Sequence, residues 1–190
     1  MGATEKIAIL KQLVDLVGAT GDAMKKITDG FKHLVVAAVQ AYDATKARAL
    51  HARLIEVSEL ATSLIIVQST LPETLGAYAG RAHELTDAER RSTWRTVGGR
   101  TQPVLERVKT LLEKPREQND TDFVAEPAYV KLREALEARS TLLQKLMAID
   151  PPATPAELDV VRDAAMRYGR LIQELNAARD ELNTYVKALK

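Results

Sequence analysis

Side chains that could do chemistry are few in this chain, and their spacing does not assemble a reaction. There are three histidines, His33, His51 and His83. His33 falls with Lys26, Asp29 and Lys32 on the polar side of a helical pattern. Neither His51 nor His83 has a His, Asp or Glu at metal-ligand spacing. All three read as solvated surface residues. The acid pairs Glu56/Glu59, Glu134/Glu137 and Asp159/Asp163 are three or four residues apart. A di-iron bundle needs Glu-x-x-His elements on facing helices, and that element does not occur. The acids instead have bases at helical spacing, such as Arg133 with Glu137 and Arg162 with Asp159, which predicts salt-bridged helix surface. Gly18-Ala19-Thr20-Gly21 precedes a helical pattern, where backbone N–H groups can hold an anion. It lacks the Gly-Lys-Ser/Thr of a phosphate loop, and Asp22 would repel phosphate. It reads as a helix–helix connection. With no cysteine, disulfides and thiolate zinc sites are excluded. We therefore expect no catalytic set, metal, cofactor or small-molecule substrate.

One cluster is chemically uneven. Residues 81–116 carry nine bases and five acids, whereas residues 117–190 carry ten bases and thirteen acids. Arg90, Arg91, Arg95 and Arg100 surround the single tryptophan, Trp94. Arginine beside an exposed aromatic binds anions, from nucleic acid to lipid head groups. The opposite net charges favour a different outcome, with Trp94 in the core and the arginines paired to the acidic C-terminal segment. Nucleic-acid binding is accordingly disfavoured.

The elements that must position these residues are all helical. Between Gly30 and Pro72 there is no Gly or Pro, and apolar residues recur every three or four positions. Phe31, Leu34, Val35, Ala38 and Tyr42 make one stripe. Leu50, Leu54, Val57, Ala61, Leu64 and Val67 make another. A first helix is expected over about 4–17, ended by Gly18–Gly21. Residues 43–48 dilute the stripe without supplying a turn residue, so one continuous helix is expected from about 23 to 69, a rod ~70 Å long. Pro72 should end it, with loop or a short helical turn over 71–85. Thr86-Asp87-Ala88-Glu89 is a capping box that opens a helix at Asp87. Gly98-Gly99 should break that helix, Pro103 restart it and Pro115 stop it. Residues 116–127 read as a polar loop. Two further helices follow, about 128–149 and 155–189, joined by Asp150-Pro151-Pro152-Ala153-Thr154-Pro155. In the last helix Leu158, Val161, Ala165, Tyr168, Ile172, Leu175, Leu182, Val186 and Leu189 keep a heptad that only Arg179 interrupts, the period of coiled-coil packing.

The expected fold is a single all-α domain over 1–190: an elongated bundle of about six helices, with a long N-terminal helix and a C-terminal antiparallel hairpin. It subdivides into 1–115, a polar loop over 116–127, and 128–190. The last helix outruns its hairpin partner by ~18 Å. Leu182, Val186 and Leu189 must then be covered by the N-terminal helix or by a second subunit. A formal net charge of +1 selects no partner globally. No segment reads as a signal peptide or membrane span, and Lys6 stands where a myristoylation start needs Ser or Thr. A cytoplasmic, non-enzymatic adaptor that binds protein through exposed helix faces is the leading expectation. The alternative is a membrane-acting bundle with a releasable amphipathic segment over residues 1–21. A nucleic-acid binder using 81–116 comes third.

Overall fold

The computed structural model describes residues 2–41, 44–117 and 127–190. The side chains of residues 100, 101, 104, 105, 111 and 114–117 fall outside that description. The described residues form six helices: α1 (Ala3–Ala41), α2 (Ala44–Gln68), α3 (Leu71–Arg81), α4 (Asp87–Glu117), α5 (Pro127–Ala148) and α6 (Pro155–Ala188). The all-α bundle with a long N-terminal helix is as the apolar periodicity dictates.

Three expected helix breaks are absent because the glycines and prolines serve packing or fit inside helices. α1 runs straight through Gly18–Gly21. Gly21 faces α6, where a Cβ would overlap the Glu174 carboxylate and crowd Leu171. Thr20 returns its hydroxyl to Leu16 O at 2.9 Å. α4 likewise continues through Gly98-Gly99, Pro103 and Pro115. Gly98 is buried where a Cβ would overlap Sδ and Cγ of Met147 on α5, while Gly99 has no neighbour within 4 Å. Pro72 does not lead into a loop. It sits in the first turn of α3, where its missing N–H leaves nothing unsatisfied.

The continuous 23–69 rod is also corrected. Residues 42 and 43 lie outside the described residues, but the helices on either side run in opposite directions. Lys6 pairs with Glu157, Gly21 lies against Leu171, and Asp29 acts electrostatically on Tyr185. α1 is therefore parallel to α6. Ser58 donates to Asn183 Oδ1 at 2.7 Å, and Arg162 donates to Ala79 O at 3.3 Å, so α2 and α3 run antiparallel to α6. Asp29 and Ser58 meet the same two turns of α6, whereas a straight helix would hold them ~43 Å apart.

α1 is the central strut, packed along both α5 and α6, and α2 and α3 cover another side of α6. α4 closes the bundle against α5 and α2. The two C-terminal helices run antiparallel as expected but do not pack on each other as a hairpin: α1 lies between them and packs on both, so α1 is the main cover of α6. That is why Leu182 is fully buried within one chain, with Val186 and Leu189 packed against the core as partly buried residues. No second subunit is needed to cover them. The buried register of α6 is Leu158, Val161, Ala164, Tyr168, Leu171, Leu175, Ala178 and Leu182, so Ala178 takes the place expected of Arg179. Residues 44–81 contain an 18-residue window of mean hydropathy 1.4, long and apolar enough for a membrane span, and half of it is buried in this bundle.

The adjacent glycines of α4 make a paired test. Gly99→Ala should stabilise by up to about 1 kcal/mol, the helix-propensity gain at an uncrowded site. Gly98→Ala should destabilise, because Met147 must leave its place. Thermal denaturation of both variants checks this; equal shifts would show that Gly98 is not a packing glycine.

Candidate functional site

At one end of the bundle, five helices are tied together around the 150–155 reversal. Thr154 caps α6 through a reciprocal capping box with Glu157. The Glu157 carboxylate accepts from the N–H groups of Ala153 and Thr154 at 2.9 and 3.0 Å and pairs with Lys6 of α1 at 3.1 Å. The Lys6 ammonium also donates to Pro151 O at 3.4 Å. Tyr78 of α3 donates to Pro152 O at 2.6 Å. Trp94 of α4 donates its indole N–H to Leu146 O of α5 at 3.0 Å, and its ring meets Tyr78 at 4.9 Å. Burial pushes the Glu157 carboxyl up, but the two backbone donors and Lys6 outweigh it and hold its pKa below the usual value. Burial raises Tyr78 to about 12.

This end settles the arginine–tryptophan cluster. Trp94 is only 2 % exposed, so it cannot stack on a nucleobase. Arg90 is structural: it donates to Ala82 O and Leu85 O, both at 3.1 Å, and pairs with Asp87. That closes the turn between α3 and α4, where Thr86 and Glu89 form the expected capping box. Arg91 reaches Asp150 at 3.4 Å across an exposed contact, the pairing with the C-terminal segment that the charge distribution favours. Arg95 is exposed on a cleft of about 350 Å³ that it shares with Lys6, Arg91, Met147 and Asp150. The side chain of Arg100 lies outside the described residues. Among the described members of this cluster, Arg91 and Arg95 share one cleft and Arg90 and Arg91 another, and Asp150 lines both.

Among the described residues no group of three or more His, Cys, Asp or Glu could hold a metal ion. The releasable N-terminal segment loses its structural basis. Leu10, Leu13, Val14 and Val17 are core residues, and α1 has no hinge at Gly18 or Gly21.

Two features were missed in the sequence. Arg139 of α5 is 1 % exposed. Its Nη1 donates to Gln68 Oε1 at 2.9 Å, and its guanidinium lies 5.7 Å from the centre of the Tyr168 ring. Arg139 Nε and Nη2 and the Tyr168 hydroxyl have no hydrogen-bond partner. Burial pushes the guanidinium down from its ordinary pKa and the phenol up. The signal was available: Arg139 stands seven residues from both Leu132 and Leu146, squarely on the apolar stripe.

The second missed feature is at the opposite end. Measured from Asp29 and Tyr185, α1 extends ~12 Å past the end of α6, and α2 does the same measured from Ser58 and Asn183. The two helices form a prong. On it Leu34 is 55 %, Val36 49 % and Val39 49 % exposed. Residues 34–39 are Leu-Val-Val-Ala-Ala-Val, six apolar residues in a row where a helix packed on one side alternates with polar ones.

No known protein family, curated protein or solved structure matches the chain.

Two stability tests follow from these geometries. Glu157 has a lowered pKa in the fold, so its contribution is complete above the unfolded value of about 4.3 and is lost as pH falls through the lower folded value. Glu157→Gln should cost about 3 kcal/mol at neutral pH by leaving Lys6 unpaired and should flatten the acid limb of stability against pH. An unchanged acid limb in denaturant titrations would show that other carboxylates control it. Arg139→Met should raise the melting temperature, since unpaired buried N–H groups cost about 1–3 kcal/mol and similar-sized apolar replacements of buried charge are neutral or stabilising. A marked fall would mean the guanidinium is better satisfied than its two bare donors indicate.

Proposed function

We propose that this chain is a non-enzymatic helical interaction module whose contact surface is the α1–α2 prong. The observation that supports this is that Leu34, Val36 and Val39 stand half-exposed on a projection, beside the buried Val35 and Ala38, while the body of the bundle buries its apolar stripes. Large apolar residues gathered on one exposed surface mark interaction sites in soluble domains. Elsewhere among the described residues the large exposed apolar side chains are Ile55 and Ile66 on α2 and Met166 on α6. The tied end supplies a rigid base, and the prong is presented at the far end of the bundle.

The prong residues are exposed, so polar replacements should leave folding within about 0.5 kcal/mol of the parent. A photo-crosslinking amino acid at Val36 should give covalent adducts in cells that the same group at Met166 does not. Equal labelling from the two positions, with melting temperatures unchanged, would overturn the prong as the working surface.

A further inference from the structure

We infer that the surface the prong meets is an anionic lipid bilayer, entered shallowly by residues 34–39. This rests on the prong being the contact surface and names what it contacts. The first reason is the direction of the exposed side chains. At ~100° per residue, Val36 lies about 200° and Val39 about 140° around the helix from Leu34. A protein groove takes one stripe of a helix, with anchors at three- and four-residue spacing. Val35 and Ala38, buried in the fold, lie between Leu34 and Val39, so the exposed apolar residues border the packed stripe on both flanks and suit a medium that meets both.

The second reason is charge. From Asp29 to Ile55 the sequence holds Lys32, Lys46, Arg48 and Arg53 with Asp29 and Asp43 as the acids, and Lys187 and Lys190 follow Glu181 at the nearby end of α6. Lys32, Lys46, Arg48, Lys187 and Lys190 are exposed. Bases bordering an apolar wedge attach to anionic head groups while their stems lie along the acyl boundary. The same charge opposes a second copy as the occupant, because a symmetric prong-to-prong contact would bring two basic ends together. His33 and His51 add no acid to this end. Arg53 pairs with Glu56 at 3.0 Å, further down α2.

The test uses the full chain and vesicles of phosphatidylcholine with or without phosphatidylglycerol. Because the chain has no cysteine, Val39→Cys and Met166→Cys each carry one environment-sensitive fluorophore. Val39→Cys should shift to the blue with anionic vesicles, less as salt rises, and not with neutral vesicles. Met166→Cys should not shift. In co-sedimentation, Lys32→Gln/Arg48→Gln should weaken binding more than about tenfold, from about fivefold per base near an anionic surface. Val36→Ser/Val39→Ser should weaken it with the melting temperature retained. No shift at Val39→Cys with any vesicle overturns the lipid assignment. If Val36 then still gives adducts to protein in cells, the prong remains the contact surface and its partner is a protein. If neither vesicles nor crosslinking distinguishes the prong from Met166, both readings fall. Equal binding to neutral and anionic vesicles would overturn the role of the bases.

Discussion

The buried Lys6–Glu157 pair is the constraint on which the arrangement depends. Glu157 serves three partners at once: it closes the capping box of α6, takes the N–H of Ala153 and neutralises Lys6. A buried carboxylate without those partners would be strongly unfavourable. Satisfying it fixes the start of α6 against the first turns of α1, and so sets the two longest helices parallel and in register. From that register the rest follows. Further along the two helices Gly21 meets Leu171 and Glu174 in the same register, and α5, tied by the Trp94–Leu146 bond, has α1 between it and α6. The carbonyls of Pro151 and Pro152, which belong to no helix, are taken by Lys6 and Tyr78. The reversal is thus pinned by donors from α1 and α3, not only by its own prolines.

Local chemistry in the sequence translated directly into structure; long-range packing did not. The capping patterns at Thr86 and Thr154 mark true helix starts, because a cap is settled by residues within one turn. The stripes of α2 and α6 are buried for the same reason. Glycine is ambiguous by nature. At Gly21 and Gly98 it answers a neighbouring helix rather than ending its own, and nothing within one turn of either residue distinguishes the two uses. The change of direction between α1 and α2 lacks the Gly or Pro that usually announces one. In α6 the buried set keeps the seven-residue repeat but pairs Val161, Tyr168, Leu175 and Leu182 with Ala164, Leu171 and Ala178 rather than with Ala165, Ile172 and Arg179.

The candidate sites divide along the same line. Trp94 and its arginines drew attention by type, and the structure uses the indole as a core residue and Arg90 as a clamp. Lys6 and Arg139 drew none, though each stands on an apolar stripe at seven-residue spacing from core leucines, Lys6 from Leu13 and Arg139 from Leu132. A charged residue at such a position must find partners inside the bundle. Lys6 finds a full set. Arg139 finds Gln68 and the face of Tyr168, and leaves two donors bare.

The two ends of the bundle therefore differ in kind, and the difference carries the functional reading. At the 150–155 end, polar groups of five helices are matched to one another, and little apolar surface is exposed. At the other end the order is reversed. There Leu34, Val36 and Val39 stand half in solvent, and beyond Asp29 and Glu181 the bases outnumber the acids. A chain that buries Leu182 and Leu175 completely within itself has no shortage of ways to cover valine. Keeping these three exposed costs hydrophobic stabilisation of roughly 1.5–3 kcal/mol for each side chain left unburied. On the proposed reading that cost is offset when the prong enters an apolar medium, and the surrounding positive charge suits a medium that is apolar within and negative at its surface.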